Sequence, residues 1–255
     1  MKFLLKVLAL AALLTSLHCR AAATFDVIDL NVAGTVMPTI RISGRIEYGD
    51  GAAFKKFIYA NPQTVRLSIH LLLDSPGGRL KSAISMARTI RQVGFYTVVD
   101  EGATCASACF VLYSAGFVRM GQMPILRTNN EVTGIGVHRA LIDSEIMKGL
   151  SPAEAREVSR ETSQLSSAAL REFDVPEAII SLVEKTPAAG VRFLTVEQLN
   201  SFMEPPWLVD LAHAKCGMRV PSNEVSAKTA SAYFTLLSKC QLMVLVDNRE
   251  KIFAR

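Results

Sequence analysis

The chain has 255 residues and a mass of 27.8 kDa, with 50% hydrophobic and 20% charged residues, enough apolar material for a sizeable core. With 15 glycines, 10 prolines and no self-similar period, the composition excludes disorder, collagen, coiled coil and solenoid or propeller arrays. The formal charge of +5 includes Lys2, Lys6 and Arg20, and setting those three aside leaves +2, so nucleic acid is not an expected partner.

In chain order, residues 1–23 read as a secretory signal peptide. Lys2 and Lys6 give a basic start, residues 7–17 an apolar run, and Ala21, Ala22 and Ala23 the small residues for cleavage after Ala23. An 11-residue run is well short of the ~20 that span a bilayer, which argues against an uncleaved anchor. Lipidation at Cys19 is not expected, because His18 stands where such signals have a small residue. The mature protein is therefore expected in the periplasm or outside the cell. Oxidising compartments favour disulfides, and Cys105, Cys109, Cys216 and Cys240 form an even set. Of the three possible pairings, Cys105 with Cys109 and Cys216 with Cys240 keeps each bridge within one local segment. A zinc site is not expected, since there is no C-x-x-C and no histidine at finger-like spacing.

Residues 39–47 (TIRISGRIE) have the alternation and β-branching of a strand, followed by a Gly-Asp-Gly break and a short helix at 52–59. Residues 65–73 (VRLSIHLLL) read as a second strand, apolar enough at its end to be covered on both faces. A tight turn, Asp74-Ser75-Pro76-Gly77-Gly78, leads to an amphipathic helix at 80–93, with Leu80, Ile84, Ala87 and Ile90 on one face, and then to a strand at 96–99. Strand, helix and strand form a βαβ unit, so the expected class is α/β, a mostly parallel sheet flanked by helices, with chemistry at the strand ends. Residues 105–115 read as a buried helix, 123–126 and 136–138 as short strands, 151–172 as a helix opened by Ser-Pro-Ala-Glu, and 192–194 as one more strand. Pro205-Pro206 marks a boundary between a body at 24–204 and a C-terminal extension at 205–255, whose two cysteines enclose a helix at 224–237.

Three pieces carry the chemistry. Ser75-Pro76-Gly77-Gly78 follows a strand, Ser107 sits among small residues after Gly102, and His138 ends Gly134-Ile135-Gly136-Val137. Read alone, Ser107 is a small residue that permits close packing and His138 a satisfied core histidine. Read together, they supply a hydroxyl nucleophile and the base that deprotonates it. Acyl transfer also needs two donors aimed at the oxyanion, and the backbone amides of Gly78 and Ala108 can provide them, since the first N–H groups of a helix have no internal partner. His70 and His213 read as structural.

From residue 39 to 199 the sequence resembles the proteolytic subunit of the caseinolytic (Clp) protease and its relatives in the ClpP/crotonase fold. Ile42-Ser43-Gly44-Arg45-Ile46 is similar to the family's opening strand, and Leu72-Leu73-Asp74-Ser75-Pro76-Gly77-Gly78 to its oxyanion loop. Ala106-Ser107-Ala108 falls where the family has its nucleophile and Val137-His138 where it has its base, while Arg192-Phe193-Leu194-Thr195 is similar to a late Arg-Phe-Leu-Ser segment. The resemblance implies repeated β-β-α units, a peptide or unfolded-protein substrate, no cofactor or metal, and homo-oligomers.

The chain departs from that pattern in three ways. Val191 stands where the family has the aspartate that orients its histidine, and Glu184 is the nearest upstream acid. Lys148 is a second candidate base, since signal-peptide-peptidase and membrane-bound relatives of this fold use a lysine. Export removes the ATP-driven unfoldase from the expected partners. The cysteines flanking Ser107, if both lie on one helix, are about 6 Å apart at Cα, within reach of a bridge but with side chains poorly directed for it. The first expectation is thus an exported serine peptidase using Ser107, His138, Gly78 and Ala108. The alternative is an inactive relative that binds peptides or a partner protein in the same cleft.

Overall fold

The computed structural model describes residues 22–32, 35–121, 132–142, 147–217 and 227–253. Residues 1–21 of the predicted leader and the predicted strand at 123–126 lie outside them. The first element is an antiparallel pair that sequence reading only half anticipated, β1 (Thr24–Val32) with β2 (Thr35–Ser43). Ile40 and Ile42 of β2 alternate into the core while Arg41 faces Asp26 at 3.7 Å. The strand expected to reach residue 47 stops at Ser43 because Gly44, at φ 86°, turns the chain, and Ile46 then makes an isolated parallel bridge to Gly78.

Helix α1 (Asp50–Ala60) buries Phe54 and Ile58. The expected strand at 65–73 is divided. Pro62, which tolerates the first helical position because its missing N–H would be unpaired there, opens α2 (Pro62–Leu67); Ser68 N–H closes it on Thr64 O at 2.7 Å. Only His70–Asp74 forms β3. Helix α3 (Leu80–Val93) has the expected bounds, with Ala83, Met86, Ala87 and Ile90 fully buried and Gly94 in the left-handed region ending it.

After β4 (Tyr96–Val98), the predicted helix at 105–115 resolves into β5 (Cys105–Ala106), a sharp corner at Ser107, and α4 (Ala108–Ser114). Next come β6 (Arg119–Met120) and β7 (Val132–Val137), which ends just before His138 instead of including it. Helix α5 (Pro152–Glu172) starts at a capping box between Ser151 and Glu154. It is followed by α6 (Glu177–Lys185), β8 (Arg192–Thr195) and α7 (Val196–Asn200). The extension holds α8 (Pro206–Cys216) and α9 (Ala227–Phe253), so Cys240 lies inside the last helix and not beyond it.

The molecule is α/β, but with two sheets where one was expected. The first has the order β1-β2-β3-β4-β6 and is parallel from β2 onward; the second has the order β5-β7-β8, with β5 and β7 parallel and β8 antiparallel to β7. A parallel bridge between Ser75 and Cys105 joins them just past the C-terminal end of β3. The glycine turn therefore sits at the junction of the sheets.

Two buried arginines hold the body together from behind. Arg119 donates to Phe202 O at 2.7 Å and Phe173 O at 2.5 Å, and burial pulls its pKa down to about 10. Arg249 of α9 donates to Val65 O at 2.7 Å, Ser68 O at 2.5 Å and Val93 O at 3.3 Å, and its guanidinium lies 4.9 Å from the Phe95 ring centre. Those carbonyls belong to the C-terminal ends of α2 and α3, where unpaired oxygens and the helix dipole favour a cation. The extension is thereby packed onto the body.

Candidate functional site

Ser107 has φ 57° and ψ −124°, a conformation that costs a residue with a β-carbon about 1–3 kcal/mol. Such strain persists only where the surroundings over-determine it, and here four constraints converge. Ala106 N–H donates to Ser75 O at 3.0 Å, Ser107 N–H to Gly136 O at 3.0 Å and Phe110 N–H to Ser107 O at 2.9 Å, while a disulfide joins Cys105 to Cys109 across the corner. The bridge expected from the sequence is present, but it spans a strand and a helix with 5.1 Å between Cα atoms and does not run along one helical face. Ser107 is half-buried among fully buried neighbours. A strained strand-to-helix corner of this kind lifts a serine hydroxyl out of the backbone's own hydrogen bonding.

The glycine turn closes on this corner. Ser75 N–H donates to Thr104 O at 2.6 Å, and the buried Ser75 hydroxyl accepts Gly77 N–H at 3.1 Å. Gly77 has φ 94°, and a β-carbon there would lie 2.5 Å from Ala106 O, 2.7 Å from Ser107 Cβ and 2.8 Å from Ala108 N, so only glycine fits. On the other side Ile46 N–H donates to Gly77 O at 2.8 Å and Arg79 N–H to Ile46 O at 2.9 Å. The amides of Gly78 and Ala108 have no protein acceptor among the described residues. One of these N–H groups follows the glycine that packs on Ser107 and the other belongs to the first helical residue after it.

Strand β7 runs beside β5 with Ala106 opposite Gly136, and continuing that register sets His138 beside the corner. Its Nδ1 lies 2.8 Å from Arg139 O. A carbonyl can only accept, so this contact needs the proton on Nδ1, and in the neutral ring that leaves the lone pair on Nε2. No hydrogen bond joins Ser107 to His138 among the described residues.

The acids suggested by position do not serve His138. Glu184 accepts the Ser167 hydroxyl at 2.6 Å. Val191 is 48% exposed, and its Cγ1 occupies the space above Gly136, 2.5 Å from where a β-carbon there would be. Lys148 is exposed in the turn before α5. The tautomer of His138 is set by the main-chain oxygen of Arg139, which no side-chain motif signals. Far from this corner, Cys216 and Cys240 form the second expected bridge, between α8 and α9.

No protein-family model matches the chain, and no curated protein matches it. Among solved structures, a mutant of the 1510-N membrane-bound stomatin-specific protease is similar, with a TM-score of 0.42 and 15% identity over 65% of this chain and 75% of that one.

Proposed function

We propose that the protein is an exported serine peptidase of ClpP-like fold that cleaves peptides through an acyl-enzyme, with Ser107 as nucleophile and His138 as base. The observation that carries this reading is the corner at Ser107: a strained serine, over-determined by a disulfide and three hydrogen bonds, between two unengaged amides. Strain maintained at this cost is characteristic of sites where it is part of a mechanism. The two bridges support an oxidising compartment.

In this mechanism Nε2 of His138 takes the hydroxyl proton as Ser107 Oγ attacks the peptide carbonyl, and the amides of Gly78 and Ala108 stabilise the oxyanion. His138 then protonates the departing amine, and water, deprotonated by the same nitrogen, releases the acyl group. Each oxyanion donor is worth about 10²–10³ in rate. The Arg139 carbonyl performs the orienting half of the missing acid's task. It brings only a partial charge to the imidazolium, so a slower enzyme than a full triad is expected.

The mature protein is treated with a fluorophosphonate probe beside Ser107→Ala and His138→Ala. Labelling of the parent, absent in the first variant and reduced at least a hundredfold in the second, is the expected result. A parent that stays unlabelled overturns the peptidase reading and favours a cleft that only binds, for which the exposed Val191 beside Gly136 is the motivating observation.

A further inference from the structure

A cleft of about 470 Å³ opens one residue beyond His138, between the segment after β7 and one face of α5. Its walls include Arg139, Arg156 and Arg160 together with Leu141, Ile142 and Met147, and no carboxylate lines it among the described residues. Arg156 and Arg160 are four apart, stacked on one face of the helix. Arg160 is held bidentately by Glu157, with Nε to Oε2 at 3.0 Å, which neutralises it. Arg139 and Arg156 have no ion pair among the described residues.

Two guanidiniums with no ion pair among the described residues, above an aliphatic wall, suit a ligand with a planar anion on a short apolar stem. Guanidinium forks match carboxylates bidentately, and a volume of this size holds one or two side chains. Arg139 links the cleft to the corner: its carbonyl bonds the His138 ring while the residue itself lines the cleft.

We infer that this cleft is the specificity pocket of the enzyme and takes a carboxylate of the peptide substrate on Arg139 and Arg156, an assignment that rests on the peptidase reading above. The carboxylate comes from an aspartate or glutamate near the scissile bond or from a free C-terminus. Because the cleft is open, recognition weakens as salt rises.

The test offers the full mature chain a mixed peptide library and reads the cut sites by mass spectrometry, in parallel with Arg156→Glu and Arg139→Gln. Cuts within three or so residues of Asp or Glu are expected about threefold to fivefold more often than near Lys, the size of one exposed ion pair. Arg156→Glu inverts that ratio and Arg139→Gln reduces it. A preference that disappears when the C-termini are amidated assigns the carboxylate to the chain end; one that survives assigns it to side chains. Equal cutting near Glu, Gln and Lys, or a ratio unmoved by Arg156→Glu, overturns the inference. Probe labelling of the same preparations separates the two readings. A labelled enzyme without charge preference keeps the peptidase and loses the pocket. An unlabelled protein that binds a fluorescent Glu-rich peptide, and loses it in Arg156→Glu, keeps the cleft and loses the peptidase.

Discussion

The two disulfides do different things. Cys216–Cys240 closes a separation of 24 residues and ties α8 to α9 far from the serine corner, whereas Cys105–Cys109 closes a separation of four across that corner. In the chain-entropy model the longer closure is worth about 3.4 kcal/mol and the shorter about 1.9 kcal/mol. The short bridge joins segments already hydrogen-bonded to Ser75 and Gly136, so much of its constraint duplicates contacts that exist without it. What it adds is local: it spans the one residue held in a strained backbone conformation. One bridge stabilises the extension, and the other sets a geometry.

The comparison can be broken at the corner or at the extension. The largest effect is expected from Gly77→Ala, whose added methyl has no room beside Ser107 Cβ and Ala108 N and would also strain a residue at φ 94°. Labelling by the fluorophosphonate should fall by about a hundredfold to a thousandfold, the range for losing an oxyanion donor. A variant that labels normally would show that the turn is not part of the site.

Replacing each cysteine pair with serines comes next. The Cys216/Cys240 double variant should lose roughly 3 kcal/mol, a fall in Tm of roughly 6–12 °C by calorimetry, with labelling at low temperature unchanged. The Cys105/Cys109 double variant should lose about tenfold in labelling rate with a smaller fall in Tm, since a strain of 1–3 kcal/mol can then relax. If both variants move the same quantity, the division of labour is wrong.

The smallest effect is a pH dependence in the body, away from both bridges. His70, at the start of β3 and edge-on to Tyr96 at 6.1 Å, is held below its ordinary value of 6.5 by burial. Its folded pKa is depressed, so the unfolded chain binds the proton first, and stability falls as pH drops from about 6.5 toward the lowered value. Urea midpoints at pH 7 and pH 5 should differ less in His70→Gln than in the parent.

Much of the candidate site could be marked out in the sequence because its residues have few alternatives. A Ser-Pro-Gly-Gly turn after an apolar strand, a serine among small residues and a histidine after Gly-Val can be found in a string of letters. Closeness along the chain was enough to pair both sets of cysteines correctly. The corner itself was missed. Cys105 to Ala115 have the composition of one buried helix, and only the pairing of Cys105 and Ala106 with Ile135 and Gly136 makes the first two residues a strand. Val65–Leu73 was misread for a similar reason, since apolar periodicity in a short run does not separate a helical turn from a strand end. Arg119 and Arg249 were missed altogether, because an arginine satisfied by carbonyls from remote helix ends looks in sequence like any solvated one.

By itself the sequence determined the α/β class, the candidate nucleophile, base and amides, and which cysteines sit near one another, all properties of residue type and local order. The tertiary structure alone decided that Ser107 sits at a strained corner between two sheets, that the main-chain oxygen of Arg139 bonds the His138 ring, and that Arg139 and Arg156 line a cleft beside it with no ion pair among the described residues. Backbone dihedrals, carbonyl positions and unpaired charge depend on partners brought together from distant parts of the chain, and no local pattern encodes them.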